Sequence, residues 1–393
     1  MPALLYLIAL GNLVVGSSAF VVSGIVDLIA GSLGTTLVAA GLAMSVYALS
    51  TALLAPALVA ATGAWPRRRA LLLGLALFTA GNALCALAPG LATLYAGRAL
   101  MGAGSMFTPI GAGIAIALVA PEKRGKALST VFLGMSLSYV IGVPLGAWVG
   151  RQHGWQVAIA VMTAASALML ALLAWRLPAQ VQAPGVQFGG LGRVLRRPVV
   201  LAALGTTLLY FTAIFSAFSY IAPLVARLAA GGGPGVSWTL TIFGCAGVAG
   251  TLVGGLASDR FGPRRTMQVL LLSLAAMMAL LPLTAGHPLA MLAVLVGWGC
   301  SGFGLMSPQQ ARLAQMAPAQ TPLLLSLNSS MLYVGTALGA AIGGALLPAV
   351  GFERLTWVAA PFALASWALL MLEPALAKGT PAPMSPAQEG MSR

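Results

Sequence analysis

Twelve long apolar runs dominate the pattern of the chain, and short segments rich in proline, glycine or basic residues separate them. About 20 apolar residues in a helix cross the hydrocarbon core of a bilayer, so each run predicts one spanning helix. The runs are continuously apolar rather than alternating, which argues against a membrane β-barrel. The predicted spans are 4–30, 36–62, 69–88, 91–119, 126–150, 156–177, 199–226, 236–257, 265–285, 288–316, 322–349 and 355–377.

The composition predicts the same class of protein. Of the 393 residues, 60% are hydrophobic and only 7% are charged, whereas a soluble domain carries roughly 25% charged residues. So little charge cannot cover a water-facing surface, and we expect an integral membrane protein embedded in a lipid bilayer. The net charge of +14 comes without a basic helix or a basic aromatic face. Nucleic acid is therefore not an expected partner.

The basic residues predict the orientation in the membrane. If the N-terminus is cytoplasmic, sixteen of the 20 Lys and Arg residues lie in cytoplasmic segments and three lie in outer loops. Because cytoplasmic loops carry an excess of Lys and Arg, both termini are expected in the cytoplasm.

An internal repeat divides the chain. At a shift of 197 residues, the segment 66–68 matches 263–265 as Pro-Arg-Arg, and Gly142 and Gly146 match Gly339 and Gly343. The expected organisation is a six-helix bundle over 1–177, a cytoplasmic linker over 178–198, a six-helix bundle over 199–377 and a disordered tail over 378–393. In parallel repeats of this kind, the binding site lies between the halves near mid-membrane.

Several segments resemble one family of transporters. "GGLASDRFGPRR" (254–265) is similar to the loop signature of the major facilitator superfamily, and "RALMGAGSMFTPIGA" (98–112) resembles its fourth-helix pattern. "GMSLSYVIGVPLGAWVG" (134–150) resembles the fifth-helix motif of proton-linked antiporters, in degenerate form. "FSYIAPLV" (218–225) and "SLNSSMLYVGTALGAAIGG" (326–344) resemble the twelve-helix drug:proton antiporter branch, which includes sugar and multidrug efflux permeases.

The resemblance implies an all-α membrane protein with twelve transmembrane helices in two pseudo-symmetric six-helix bundles. It also implies an exporter of the bacterial inner membrane, with the first, fourth, seventh and tenth helices lining a central cavity. Two positions depart from the family pattern. Ala19 stands where the branch has a glutamate, and Thr62 stands where the second copy of the loop signature has Asp259. The missing glutamate leaves the proton site open.

Asp27 and Arg98 are the charged candidates within the spans for coupling or for the cavity. A carboxylate inside a membrane is a functional candidate, but Asp27 lies about 34 Å along its helix from Leu4, near the outer mouth. A solvated acid at a helix end is thus the alternative. Arg98 cannot lose its proton. It either reaches the outer interface or points into the bundle, where Asp27 or carbonyl groups of the first helix could accept its hydrogen bonds.

Aromatic and polar residues of the spans are candidates for the substrate cavity. Phe211, Phe215 and Phe218 share one helix face, and aromatic faces suit flat or cationic amphiphiles. Packing against lipid is the alternative for the rings, and hydrogen bonding between helices is the alternative for the polar groups. The cavity candidates are Asn12, Phe20, Tyr139, Tyr210, Phe211, Phe215, Phe218, Trp298, Phe303, Gln309 and Asn328.

Two motifs are candidates for gating. Asp259 can cap a helix or pair with a neighbouring arginine in one conformation and release it in the other. The arginines of that loop are Arg260, Arg264 and Arg265. Gly142 and Gly146 permit a close helix approach and Pro144 favours a kink, so this motif is expected to form a tight contact between the halves. Glu373, in contrast, is expected to be solvated at a helix end.

The sequence favours a secondary transporter over other classes. It has no nucleotide-binding loop, no nucleophile with a base and no metal-binding spacing, so neither enzyme activity nor a cofactor is expected. We expect proton-coupled efflux of small amphipathic drugs or sugar-like metabolites by a monomer. An uncoupled facilitator or importer is the first alternative, because of Ala19. A receptor or scaffold is the second, although it would call for a soluble domain.

Overall fold

The computed structural model describes residues 3–120, 123–178, 196–229, 235–317 and 320–378. Over those residues it contains twelve helices long and apolar enough to cross a membrane and no strand, which confirms the predicted number of spans. Most of the predicted linker and tail lies outside the described residues, so the domain boundaries stay a prediction. The spans, α1 to α12, are Ala3–Ser32, Leu37–Ala61, Arg67–Ala86, Leu91–Ala117, Lys126–His153, Trp155–Arg176, Pro198–Phe218, Val236–Phe261, Pro263–Thr284, Pro288–Met316, Leu323–Val350 and Leu355–Leu376.

Proline residues account for the interruptions in these helices. A turn at 105–106 divides α4, a π-helical turn at Ser138–Gly142 lies within α5, α7 ends at Phe218 before a short helix Ile221–Leu228, and α10 is divided at Leu305. Each interruption lies about four residues before a proline: Pro109, Pro144, Pro223 and Pro308 respectively. Proline has no N–H for the carbonyl four residues earlier, so the helix loses a bond there. The predicted single span 199–226 is therefore shorter, with a separate helix after it.

The two halves pack their helices in the same way. In the first half α1 contacts α5 and α6, α2 contacts α4, and α3 contacts α4 and α6. The second half repeats these five pairs as α7 with α11 and α12, α8 with α10, and α9 with α10 and α12. One hydrogen bond repeats as well. Arg68 donates to the carbonyl of Ala174, and Arg264 donates to that of Leu370. The repeat in sequence thus reflects a repeat in packing.

The repeated glycines hold helices together within each half. A Cβ at Gly142 would overlap Ser17 of α1, and one at Gly146 would overlap Val21. Their counterparts Gly339 and Gly343 approach the backbone of Thr212 and Ser216 of α7 in the same way. The expectation that Gly142 and Gly146 form the contact between the halves is therefore wrong, because both face α1 of their own half. The segment of α5 that carries them does pack against α8 of the other half, and the role of Pro144 stays a prediction.

The halves meet mainly through α2 with α11 and α5 with α8. We call the end of the bundle at which α1 begins and α12 ends the terminal side and the opposite end the far side. Ser45 of α2 donates to the carbonyl of Ala337 of α11 at 2.8 Å. Gly244 of α8 lies directly against the backbone of Tyr139 of α5. These contacts lie between the middle of the spans and the far side, so the described structure is closed toward the far side.

The glycine packing predicts opposite effects for two equivalent substitutions. Gly142→Ala forces α5 away from Ser17, and overpacking of this kind costs about 1–3 kcal/mol. Gly255→Ala, on α8, would meet only Ser307 at 3.9 Å and should be neutral or stabilising by up to about 1 kcal/mol, since alanine favours helix over glycine. Thermal unfolding of the purified variants in detergent checks this. A Gly142→Ala variant at least as stable as Gly255→Ala would contradict the packing argument.

Candidate cargo site and buried charges

Eight aromatic rings from both halves form one connected cluster near the middle of the spans. Phe20 lies 5.7 Å from Phe215, and Tyr139 lies 4.7 Å from Phe303, between ring centroids. Such distances are those of favourable aromatic pairs. The members of this aromatic cluster are Phe20, Tyr139, Phe211, Phe215, Phe218, Phe243, Trp298 and Phe303. The structure therefore brings together seven of the rings that the sequence singled out, and their role in cargo binding remains a proposal.

Phe243 of α8 is the member that the sequence reasoning missed. Its ring lies 5.6 Å from Phe218, 5.3 Å from Trp298 and 6.0 Å from Phe303, so it joins α7 to α10. Helix α8 was not among the helices expected to line a cavity. The available signal was a single aromatic residue in a glycine-rich stretch. Tyr210, a predicted cavity residue, pairs with one ring of the cluster, that of Phe211 at 4.8 Å, and lies beside the cluster toward the terminal side.

The aromatic cluster has an accessible edge and unpaired polar groups. Tyr139 and Phe303 are half-buried, whereas the other members are buried. The hydroxyl of Tyr139 has no hydrogen-bond partner in the part of the chain that the structure describes. The indole N–H of Trp298 is buried without a partner in that part of the chain. A mostly apolar site with a few free donors can hold an amphipathic molecule.

Arg98 points into the first half and binds carbonyl groups of α1. Its side chain is 2% exposed. One terminal nitrogen donates to the carbonyl of Ser18 at 2.9 Å and the other donates to that of Ala19 at 3.0 Å. The guanidinium also lies 5.4 Å from the centre of the Tyr47 ring. Of the two partners that the sequence left open, the structure shows the carbonyl groups, and the guanidinium has no carboxylate partner among the described residues.

Asp27 pairs with a different arginine. Its carboxylate accepts from Arg151 at 3.1 Å, and the side chains of Asp27 and Arg151 are 30% and 29% exposed. The pair joins the far ends of α1 and α5, so the hypothesis of an Asp27–Arg98 pair is wrong. A half-exposed ion pair at a helix end contributes little, typically about 0–1 kcal/mol. Asp27 is thus a partly solvated acid at a helix end, which is the alternative that the sequence left open for it.

The polar cavity candidates are hydrogen-bonded to one another or to the backbone. Asn12 donates to the carbonyl of Val131 at 3.1 Å and accepts from Thr108 at 2.8 Å, all within the first half. In the second half, Gln309 donates to Thr207 at 2.7 Å, and Thr207 donates to Asn328 at 2.6 Å. These polar groups form hydrogen bonds between helices, which is the alternative role that the sequence offered for them.

A buried ion pair continues that polar chain. Arg312 of α10 donates to Gln309 and to both oxygens of Glu373 of α12, at 2.7 and 2.6 Å. Arg312 and Glu373 are 5% and 4% exposed. The expectation that Glu373 is solvated is therefore wrong, because α10 places the guanidinium of Arg312, 61 residues earlier in the sequence, beside the carboxylate. The only signal in the sequence was a single acid within an apolar run.

The loop candidates for gating lie on the terminal side. Asp259, Arg260 and Arg265 are exposed, and Asp259 forms no ion pair within the described ranges. Arg264 instead binds the carbonyl of Leu370 at 3.2 Å. Over the same ranges, no group of three or more His, Cys, Asp or Glu could hold a metal ion.

Comparisons place the chain among membrane transporters. The model of the Major Facilitator Superfamily matches residues 8–308 and 230–392. An uncharacterised MFS-type transporter of Bacillus subtilis, YbcL, is 31% identical over 358 residues, which cover 91% of this chain and 92% of that protein. The inner membrane transport protein YdhP of Escherichia coli K12 is 30% identical over 343 residues (87% and 88%). A chloramphenicol resistance protein of Streptomyces lividans is 32% identical over 358 residues (88% and 90%).

Solved structures show the same fold at low sequence identity. A bacterial homologue of the human lysosomal transporter Spinster, in an inward-facing and occupied conformation, has a TM-score of 0.79 at 16% identity. The match covers 97% of this chain and 98% of that chain. The peptide transporter POT in complex with sulfate has a TM-score of 0.75 at 15% identity, over 96% and 95% of the two chains.

The far-side contact predicts the effect of removing one hydroxyl. Ser45 of α2 donates to the carbonyl of Ala337 of α11, and this bond joins the two halves. Ser45→Ala removes a bond worth about 1 kcal/mol, and should favour far-side opening about fivefold. A cysteine at the buried Ala337, without the native cysteines, should then react faster with a far-side thiol reagent. Equal rates in Ser45→Ala and in the control Ser329→Ala, whose exposed hydroxyl bonds only within its own helix, would contradict this.

Proposed function

The chain belongs to the major facilitator superfamily of membrane transporters, which are not enzymes, and we propose that it exports small amphipathic molecules in exchange for protons. The observation that carries this proposal is the aromatic cluster, which both halves build and which has an accessible edge at Tyr139 and Phe303. A site shared by two halves changes when they tilt against each other. Cargo bound between these rings would therefore be released by the same motion.

The surroundings of the cluster favour neutral aromatic cargo over sugar-like cargo. A sugar needs many hydrogen-bond partners, yet Asn12, Gln309 and Asn328 are already bonded within the protein. The free donors at Tyr139 and Trp298 suit a molecule with one flat apolar part and few polar groups. A related protein carries the name of chloramphenicol resistance, and chloramphenicol has this chemistry. It is therefore the first probe to use.

We also propose the orientation and the setting of the protein. The excess of basic residues on the terminal side supports cytoplasmic termini, and Asp27 neutralises Arg151, one of the three basic residues on the far side. A multi-pass protein of the bacterial inner membrane that acts as a monomer fits this arrangement. In that orientation the described structure is closed to the outside.

A facilitator without proton coupling is the second candidate, and Ala19 favours it. The branch that the sequence resembles has a glutamate at this position, and carrying a proton needs a titratable group. Ala19 is buried beside Arg98, whose side chain binds its carbonyl. A coupled transporter must therefore hold its proton elsewhere.

Transport by purified protein in liposomes tests the proposal. We expect a pH gradient to drive radiolabelled chloramphenicol above its equilibrium level, with proton movement reported by a lumenal pH dye. Equilibration without proton movement would support the facilitator instead. If neither chloramphenicol nor a panel of neutral aromatic amphiphiles moves, the proposed export is contradicted.

A matched pair of variants localises the site within the same assay. Tyr139→Ala removes a ring that bridges the halves, and loss of about 1.4 kcal/mol of binding raises the apparent KM about tenfold. Tyr6→Ala removes a 56%-exposed tyrosine of α1 and should leave transport unchanged. Equal kinetics of the two variants would exclude Tyr139 from the cargo site.

A further inference from the structure

A cavity lies at the terminal side of the second half, away from the aromatic cluster. Its volume is about 560 Å³, and its lining comes from the starts of α7 and α9 and from the ends of α8, α10 and α12. The charged residues of this terminal-side cavity are Arg264, Arg265, Arg312 and Glu373. Three arginines and one glutamate give the lining a net charge of +2, which attracts an anion.

The glutamate of the cavity is already paired, whereas two of the arginines have no carboxylate. Glu373 accepts from Arg312 at 2.7 and 2.6 Å. Arg264 donates with one terminal nitrogen to the carbonyl of Leu370 at 3.2 Å, and its other terminal nitrogen has no hydrogen-bond partner among the described residues. Arg265 is exposed and forms neither an ion pair nor a hydrogen bond with those residues. Two positive charges therefore remain without a counter-ion in that part of the chain.

The start of α9 adds backbone donors to the same cavity. Gly262 precedes the helix and Pro263 is its first residue, so no side chain caps the first turn. The N–H groups of Arg264 and Arg265 belong to that turn, where the helix itself offers no carbonyl to accept them. Such a helix start favours a phosphate group, and guanidinium groups bind phosphate through paired hydrogen bonds. The cavity thus combines two features that both suit a phosphate.

The length of α9 places this cavity at the depth of the lipid headgroups. The helix has 22 residues, which make about 33 Å of helix, and the hydrocarbon core of a bilayer is about 30 Å thick. The first turn of α9, with Arg264 and Arg265, therefore lies where hydrocarbon meets the headgroups. Lipid phosphates occupy the same level.

Apolar side chains at the cavity favour a phospholipid over a soluble phosphate. Phe261 and Met316 line the cavity beside the arginines. Phe261 is exposed, and so is Leu372, which precedes Glu373 on α12. Exposed apolar side chains at the end of a spanning helix contact acyl chains. A lipid can thus place its phosphate at the arginines while its acyl chains contact Phe261 and Leu372.

We propose that the terminal-side cavity binds the headgroup of an anionic phospholipid, whose phosphate is held by Arg264, Arg265 and the first turn of α9. Basic pockets between transmembrane helices bind anionic headgroups in this way. A zwitterionic lipid binds more weakly, because its ammonium group brings a positive charge toward the arginines. The site is distinct from the cargo site and does not depend on the direction or the coupling of transport.

Lipid titration of the purified full-length protein in detergent tests the proposal. Phosphatidylglycerol should bind saturably, as counted by native mass spectrometry, and should raise the temperature of thermal unfolding. Phosphatidylcholine and glycerol phosphate at the same concentrations should do neither. Arg265→Gln should weaken the binding of phosphatidylglycerol about fivefold. This variant should fold normally, because the Arg265 side chain is exposed and has no partner among the described residues.

Arg69→Gln is the matched control. Arg69 is exposed at the start of α3, next to Arg68, whose bond to a carbonyl repeats that of Arg264. The segment 106–117 at the end of α4 carries no charged residue, so the first half lacks a counterpart of Arg312. The control removes one positive charge from the same side of the protein and should bind phosphatidylglycerol as the unmodified protein does.

Three outcomes would overturn the proposal. Equal weakening in Arg265→Gln and Arg69→Gln would mean that the overall positive charge of the terminal side attracts the lipid. Equal affinity for phosphatidylcholine would exclude a site for anionic headgroups, and equal affinity for glycerol phosphate would exclude a lipid as the source of the phosphate. None of these measurements involves transport, so each of these outcomes leaves the proposed export unaffected.

Discussion

The structure depends on how few charges its apolar interior can hold. Placing a guanidinium or a carboxylate at the centre of a membrane costs about 3 kcal/mol even on the lowest scales. Arg98 meets this constraint with two carbonyl groups of α1, and Arg312 meets it with Glu373 and Gln309. Each solution fixes one helix against another. The remaining basic residues lie mostly at the terminal side, where water solvates them.

The halves share their packing but not their chemistry. Glycines join α1 to α5 and α7 to α11 in the same way, so both halves present similar rigid bodies. Arg98, which has no carboxylate partner among the described residues, lies in the first half, and the buried ion pair of Arg312 and Glu373 lies in the second. A shared motion can thus act on two different polar sites, with the aromatic cluster between them.

The sequence predicts the fold well because span formation is local. Continuous apolar runs mark the twelve helices, and the repeated glycines mark the close contacts. The partners of these glycines, and of Asp27 and Glu373, depend on tertiary packing and were predicted wrongly. Proline shows a similar limit. Pro109 and Pro308 follow breaks in their helices, while Pro56 lies inside an unbroken one. Seven members of the aromatic cluster could be predicted from the sequence. Phe243 could not, because the local sequence pattern does not show which helices become neighbours when the two halves pack.

The central claim is that the halves tilt about the aromatic cluster, so that the two sides open alternately. Distances between spin labels on α5 and α8 test it most directly, with one pair at Gln152 and Trp238 on the far side and another at Lys126 and Phe261 on the terminal side. All four positions are exposed. Acidification should lengthen the far-side distance and shorten the terminal-side distance in the same sample. Changes of the same sign at both sides, or no change at either, would contradict the account.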